Sequence, residues 1–422
     1  MSGNKNGVQS KVRSKNPEAI YIHCMAHKLN LVVVDTCKNI KDARNMFNGI
    51  EAVFVHFSNP SKNAKLIEVQ ENLKIKKSTL MRVCDTRWIC RFKNCESIIN
   101  NFECIIQILQ EEIVSDSDKN VTQAIGILAI LQKGSFVIYL FILYETLLLI
   151  NILSNQLQQK TATLGNTGVT VNGVIESFKK KRNAAEFSKL WQNIVNFANK
   201  NKISLETPSL CKESKRKRTQ PNSLKSFNLT TTTSAASLIN DTDTILSPEE
   251  YWCIHAYYQV IDSVIINMED RFSEQSLKLA TSIDNLLKLN YEKSKYFVDH
   301  YERLTCVNRK ILEAEMTVAK NSFLQNKETF ELADIINTVN QSVYPNLYKH
   351  LQLAITIPVS SSTCERSFST MRRVKTWLRT TMAEDRFSSL AMLNIERDLS
   401  NKIDTEVIVN KFAEQDRRIV LK

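Results

Sequence analysis

Ser360-Ser361-Ser362-Thr363-Cys364-Glu365-Arg366-Ser367-Phe368-Ser369 wedges an acid and an arginine between small hydroxyl side chains at the opening of a basic amphipathic helix. Such an acid is unusual for a plain core segment, which makes Glu365 a candidate for chemistry. Downstream come Trp377-Leu378-Arg379-Thr380-Thr381-Met382 and then Leu390, Leu393 and Ile395, an apolar ladder at helical spacing. Leu378, Met382, Phe387, Leu390, Leu393 and Ile395 would form one stripe. A contact with a second copy and a contact with the chain's own core would both produce it.

The rest of the chain frames that segment. Its 422 residues allow roughly two or three folding units, or one domain carrying a large insertion. Hydrophobic residues make up 43%, with only 8 Gly and 7 Pro, which excludes a disordered chain and points to a packed, mostly helical one. The 56 Lys and Arg outnumber 44 Asp and Glu, giving a net charge of +12. That sign suits a polyanionic partner, nucleic acid foremost, although a basic but inert surface has the same composition. Ten scattered Cys fit free thiols in a reducing compartment. The polar start Met1-Ser2-Gly3-Asn4-Lys5 lacks the apolar core of a secretory signal. Phe136 to Leu153 is long and apolar enough to suggest a membrane span. Glu145 near its middle is costly in lipid and no basic flank follows, so a buried helix is expected and no membrane partner.

Pro17 to Cys24 alternates around β-formers and reads as a short strand. Helical patterns follow over 27–37, 42–57, 88–113, 121–133, 136–160 and 167–200. Between about 206 and 248 periodicity fades, and Lys215-Arg216-Lys217-Arg218 and a threonine run suggest a flexible basic linker. Helices resume over 248–268, 273–290, 292–304, 309–325 and 329–341, and 346–422 is helical with breaks at Pro358 and near Thr380.

Cys24-Met25-Ala26-His27 has the spacing of half a tetrahedral zinc site, but no second pair follows at finger spacing, and a buried structural pair explains it as well. Asp85-Thr86-Arg87-Trp88 alone reads as a helix N-cap by Asp85 or Thr86 with Trp88 packed inward. Lys179-Lys180-Lys181-Arg182 could contact phosphates or form a solvated helix face, and Lys215–Arg218 could act as an import signal.

In order, the C-x-x-H-x-L-N-L of Cys24–Leu31, the T-R-W of Thr86–Trp88, the L-S-x-x-L-Q of Leu153–Gln158 and the S-x-x-x-E-R-x-F-S of Ser361–Ser369 resemble elements of the hAT-superfamily DNA transposases. The third resembles the zinc-finger MYM-type-like branch. The resemblance spans nearly the whole chain. It implies a mainly α fold class, with a partial ribonuclease-H-like α/β core interrupted by a large all-α insertion. Residues 1–87 would hold the partial core and the structural Cys24 and His27 pair, 88–345 the insertion, and 346–422 the C-terminal dimerisation region that completes the core.

In that family two Asp and one Glu hold two divalent ions, Mg²⁺ in an intact member. Glu365 corresponds to the third carboxylate. Met1-Ser2-Gly3 matches the end of the family's D-G-x-x-N-M-S-G segment, which would place both Asp upstream of Met1. Asp35 and Asp42 follow the C-x-x-H on a helix and do not replace them. The resemblance therefore implies an N-terminally truncated, transposase-derived protein. Glu365 would be a catalytic relic, with no metal or cofactor held and no strand-transfer activity. It further implies self-association through Arg366, Phe368, Leu378, Met382, Phe387, Leu390 and Leu393. DNA contact would come through Trp88 assisted by Arg87, with Lys179, Lys180, Lys181 and Arg182 as further candidates, in the nucleus. A fragment of an active Mg²⁺-dependent cut-and-paste transposase and a domesticated nuclear interaction protein are the alternatives.

Overall fold

The computed structural model describes residues 7–20, 23–75, 80–82, 89–115, 118–157, 164–207, 246–272, 274–326, 332–357, 362–376, 379 and 381–414. Among them the regular structure is helical. The first group is α1 (Val8–Lys15), α2 (Met25–Asn39), α3 (Lys41–Phe57) and α4 (Pro60–Asn72), followed by α5 (Ile89–Ser115), α6 (Asp118–Leu131), α7 (Gly134–Leu157), α8 (Leu164–Lys181) and α9 (Ala184–Lys200). From residue 246 on come α10 (Pro248–Trp252), a π-helical turn (Cys253–Tyr257), α11 (Tyr258–Arg271), α12 (Glu274–Leu287), α13 (Tyr291–Thr305), α14 (Arg309–Asn326), α15 (Leu332–Thr338) and α16 (Pro345–Thr356). The C-terminal set is α17 (Ser362–Val374), α18 (Glu384–Ile395), α19 (Arg397–Ser400) and α20 (Thr405–Ala413).

The helix starts follow local chemistry. Asn59 accepts from the Ser61 N–H at 3.1 Å ahead of Pro60, and Asn183 accepts from the Glu186 N–H at 2.8 Å. Ser247 and Glu250 close a reciprocal capping box at the head of α10. α13 ends on Cys306 in the left-handed region at φ 48°, where one residue turns the chain toward α14.

α7 is the axis of the molecule. Its apolar residues surround the helix instead of forming one stripe, and it packs against α2, α3, α5, α6, α8, α9 and α11. The helix has the length and composition to cross a membrane, yet most of its apolar window is buried inside the protein. Glu145 reaches its edge and pairs with Lys181 of α8 at 3.4 Å. Each fully buried Leu, Ile or Phe here contributes about 1.5–3 kcal/mol, so α7 alone stabilises the fold heavily.

Buried polar pairs fix the surrounding helices. Gln70 of α4 donates to Asn101 of α5 at 2.8 Å, and Asn94 grips both backbone groups of Met81 at 3.0 and 2.7 Å. His56 of α3 meets Glu112 of α5 at 2.8 Å, with Lys62 of α4 3.5 Å from the same carboxylate. Burial lowers the His56 pKa despite the adjacent carboxylate.

A second packing centre joins α12 to α8 and α13, and α16 to α12, α13 and α14. The carboxylate of Glu315 on α14 caps α16, accepting from the Leu347 N–H at 2.7 Å, the Asn346 side-chain amide at 2.6 Å and the Asn346 N–H at 3.4 Å. His350 of α16 is fully buried; its Nδ1 donates to the Asn346 carbonyl at 3.1 Å and its Nε2 has no partner. Burial lowers its pKa too.

The mainly helical class expected from composition is borne out. The strand expected over 17–24 is not found: Pro17–Ile20, His23 and Cys24 adopt turn and irregular backbone, and Tyr21 and Ile22 lie outside the described residues. Among the described residues there is no strand for such a segment to pair with, and an isolated strand has no ladder to hold it. The sheet of a ribonuclease-H-like core is accordingly absent from the described part.

Candidate functional site

The continuous apolar core runs from Met25 to Ala354 and does not include α17 to α20. α17 and α18 pack on each other, tied by a Thr370 to Asn394 hydrogen bond of 3.1 Å and by Lys375 lying 5.6 Å above the Phe387 ring. Ala391 is the one apolar side chain among the described residues of these four helices that is fully buried. The larger ones face outward. Met392 is 65% and Leu399 60% exposed, and Phe368, Leu393, Ile395, Ile403, Val407, Ile408 and Val409 are exposed with them. Met392 and Ile395 at the end of α18 and Leu399 on α19 are spaced three and four residues apart across the helix break at Glu396, and Ile403 follows α19 in a bend.

The residues singled out from sequence distribute unevenly. Glu365 and Arg366 lie on α17, but their side chains fall outside the described part, as does Leu378. Phe368 and Leu393 are exposed, whereas Met382, Phe387 and Leu390 are half-buried. Met392, Leu399 and Ile403 were missed, although their spacing was visible in the sequence. Within 304–357, a groove of about 620 Å³ opens between the end of α13 and α16, with Leu304, Thr305, Lys349, Leu353 and Ile355 among its walls.

The basic run behaves differently from a free cationic face. Lys179 contacts Glu269 at 3.0 Å and Glu176 at 3.4 Å, and Lys181 pairs with Glu145. Arg182 grips Asp262 through Nε at 2.5 Å and Nη2 at 2.9 Å while stacking 4.7 Å over Tyr258. Lys180 is exposed. Arg87, Trp88 and the Lys215–Arg218 run lie outside the described residues.

Cys24 precedes α2 and His27 sits in its first turn, the ring stacked on His23 at 4.9 Å. Burial, aided by His27, lowers the His23 pKa. Among the described residues no three His, Cys, Asp or Glu side chains converge as a metal site would require. Asp35 is held by Arg271 of α11.

Residues 304–399, which include both the groove and most of the outward apolar side chains, match the hAT family C-terminal dimerisation region. Over a longer span the chain is similar to the 52 kDa repressor of the inhibitor of the protein kinase of Mus musculus, at 22% identity over 434 residues covering 95% of this chain and 52% of that protein. The protein of the same name from Homo sapiens is 24% identical over 429 residues, with the same coverage. Both comparisons support the hAT resemblance read from the sequence. It spans about half the length of the curated relatives it matches. The matched dimerisation region includes Phe368, Met392, Leu393, Ile395 and Leu399, exposed apolar side chains of α17 to α19 outside the continuous core.

Proposed function

We propose that the chain is a non-catalytic, self-associating hAT-derived scaffold of the nucleus, using its C-terminal helices to join a second copy. One observation carries the reading: within the matched dimerisation region, Phe368, Met392, Leu393, Ile395 and Leu399 are solvent-exposed while the continuous core ends at Ala354. Burying these side chains between copies would release the apolar surface that folding leaves in water. The similarity to proteins named as repressors supports a regulatory role without strand transfer. Light scattering of the full chain across a concentration series tests the association, with a concentration-dependent dimer expected. A monomer throughout would overturn it. Strand transfer by the purified chain with Mg²⁺ and duplex DNA would overturn the non-catalytic part.

DNA contact belongs to the same proposal because of the net charge of +12. The ion pairs of Lys179, Lys181 and Arg182 favour Lys180 as the phosphate contact within that run. Fluorescence anisotropy with duplex DNA at low and high salt tests it, and a salt-independent signal would count against it.

A further inference from the structure

We propose that the groove between α13 and α16 is the seat for the Met392–Ile395–Leu399 stripe of a second copy of this chain, and that two such contacts form reciprocally to close a dimer. The inference rests on the self-association reading and adds what that reading leaves open: which surface receives the exposed helices.

Both halves of the contact lie inside the residues that match the dimerisation region. Their chemistry agrees. Leu304 and Ile355 are exposed apolar residues at the groove, and Leu353 forms its floor against the core. The α16 wall from Lys349 to Thr356 extends about 10 Å at the rise of an α-helix, and the stripe runs over the end of α18 and α19 across the break at Glu396.

Charge supplies the register. Lys349 stands at the groove with its Nζ 3.4 Å from the Thr305 carbonyl, and among the described residues it has no carboxylate partner. Glu396 is exposed within the stripe and likewise has no cation partner among the described residues. Laying the stripe along the groove brings these two opposite charges to one interface. Because each copy carries one groove and one stripe, a two-fold arrangement satisfies both at once and leaves no open end for a filament.

The test uses the full chain with Ile355→Asp in the groove and Met392→Asp in the stripe, both at exposed positions, and circular dichroism to verify that the helices persist. Each variant alone is expected to weaken the dimer at least about tenfold in sedimentation velocity, since a charge enters the apolar centre of the contact. Mixing the two variants in equal amounts recovers a heterodimer stronger than either variant's own dimer and weaker than wild type, because one of the two reciprocal contacts pairs an intact stripe with an intact groove while the other pairs the two substituted surfaces. Lys349→Glu and Glu396→Lys should each weaken association, and the double variant should recover it. Wild-type-like dimerisation of Ile355→Asp would overturn the groove assignment while leaving self-association standing. A wild-type chain that stays monomeric would overturn the self-association reading itself. Failure of the mixed variants to associate, with concentration-independent loss of stability in each, would mean that the stripe occupies its own groove and would overturn the exchange between copies.

Discussion

Replacing Glu315 by alanine should loosen α16 at its N-terminus. The carboxylate takes three donors, and one of them, the Leu347 N–H, belongs to a residue with no solvent exposure. Hydrogen bonds to a charged acceptor contribute about 1.5–3 kcal/mol apiece, but the contact at 3.4 Å is weak and the pair at Asn346 shares one oxygen. The negative charge at the helix N-terminus adds about 0.3–1 kcal/mol. A net loss of about 3 kcal/mol follows once overlap between these contributions is discounted. Amide hydrogen exchange reads it directly: the protected amides of Pro345–Thr356 should exchange about a hundredfold faster in Glu315→Ala, with α7 unchanged. Glu315→Gln keeps an acceptor oxygen and loses the charge, so it should fall between the two. An acceleration below about threefold in Glu315→Ala would refute the reasoning, because water would then be satisfying the Leu347 N–H at no cost.

Gly134→Ala should cost about 1–3 kcal/mol in chemical denaturation, since its Cβ would sit 2.3 Å from the Ser204 carbonyl oxygen and neither backbone can yield; a neutral result would refute the packing argument. Stability should decline as pH falls below the ordinary histidine value of about 6.5. His56 and His350 have folded pKa values lowered by burial, so the unfolded chain binds protons that the folded chain refuses. The loss at pH 5.5 relative to 7.5 should reach about 1 kcal/mol per histidine, and unfolding curves unchanged across that range would refute it. Arg182→Ala should cost at most about 1 kcal/mol, because its pair with Asp262 is close to half exposed. Lys180→Ala should reduce the salt slope of DNA binding by about one while leaving stability unchanged, and the reverse pattern would show that the roles are exchanged.

Helical periodicity carried most of the architecture. The spacing of Met46, Ile50, Val53 and Phe57 located α3, and the uninterrupted apolar run after Phe136 located the buried axis. α4 escaped because its apolar residues are sparse, although Asn59-Pro60 is a strong start signal. The alternation of Tyr21, Ile22 and His23 suggested a strand because period two is cheap to satisfy over so few residues, and only a neighbouring strand would have given it meaning. The ion pairs of the basic run were illegible for a related reason: its carboxylates, Asp262 and Glu269, lie some eighty to ninety residues further along, and no local pattern announces a pair closed by tertiary packing. At the C-terminus the signature around Glu365 identified the region, while the outward side became legible only when Ala391 was seen to be the buried residue and Met392 and Leu399 the exposed ones.

The π-helical turn at Cys253–Tyr257 works as a phase adjuster in the rod that follows the linker. An α-helix advances about 100° per residue, so one additional residue in a turn rotates everything before it by that angle relative to everything after. This offset lets Trp252 reach the Leu205 carbonyl at 3.3 Å while Tyr257 reaches that of Lys181 at 2.7 Å, two anchors on helical segments set at different angles around the same rod. Deleting the exposed Ile254 would make 248–271 a single regular helix and would swing Trp252 off its acceptor. The start of this helical rod at Pro248 is thus held by an irregularity, and a more regular sequence would aim it elsewhere.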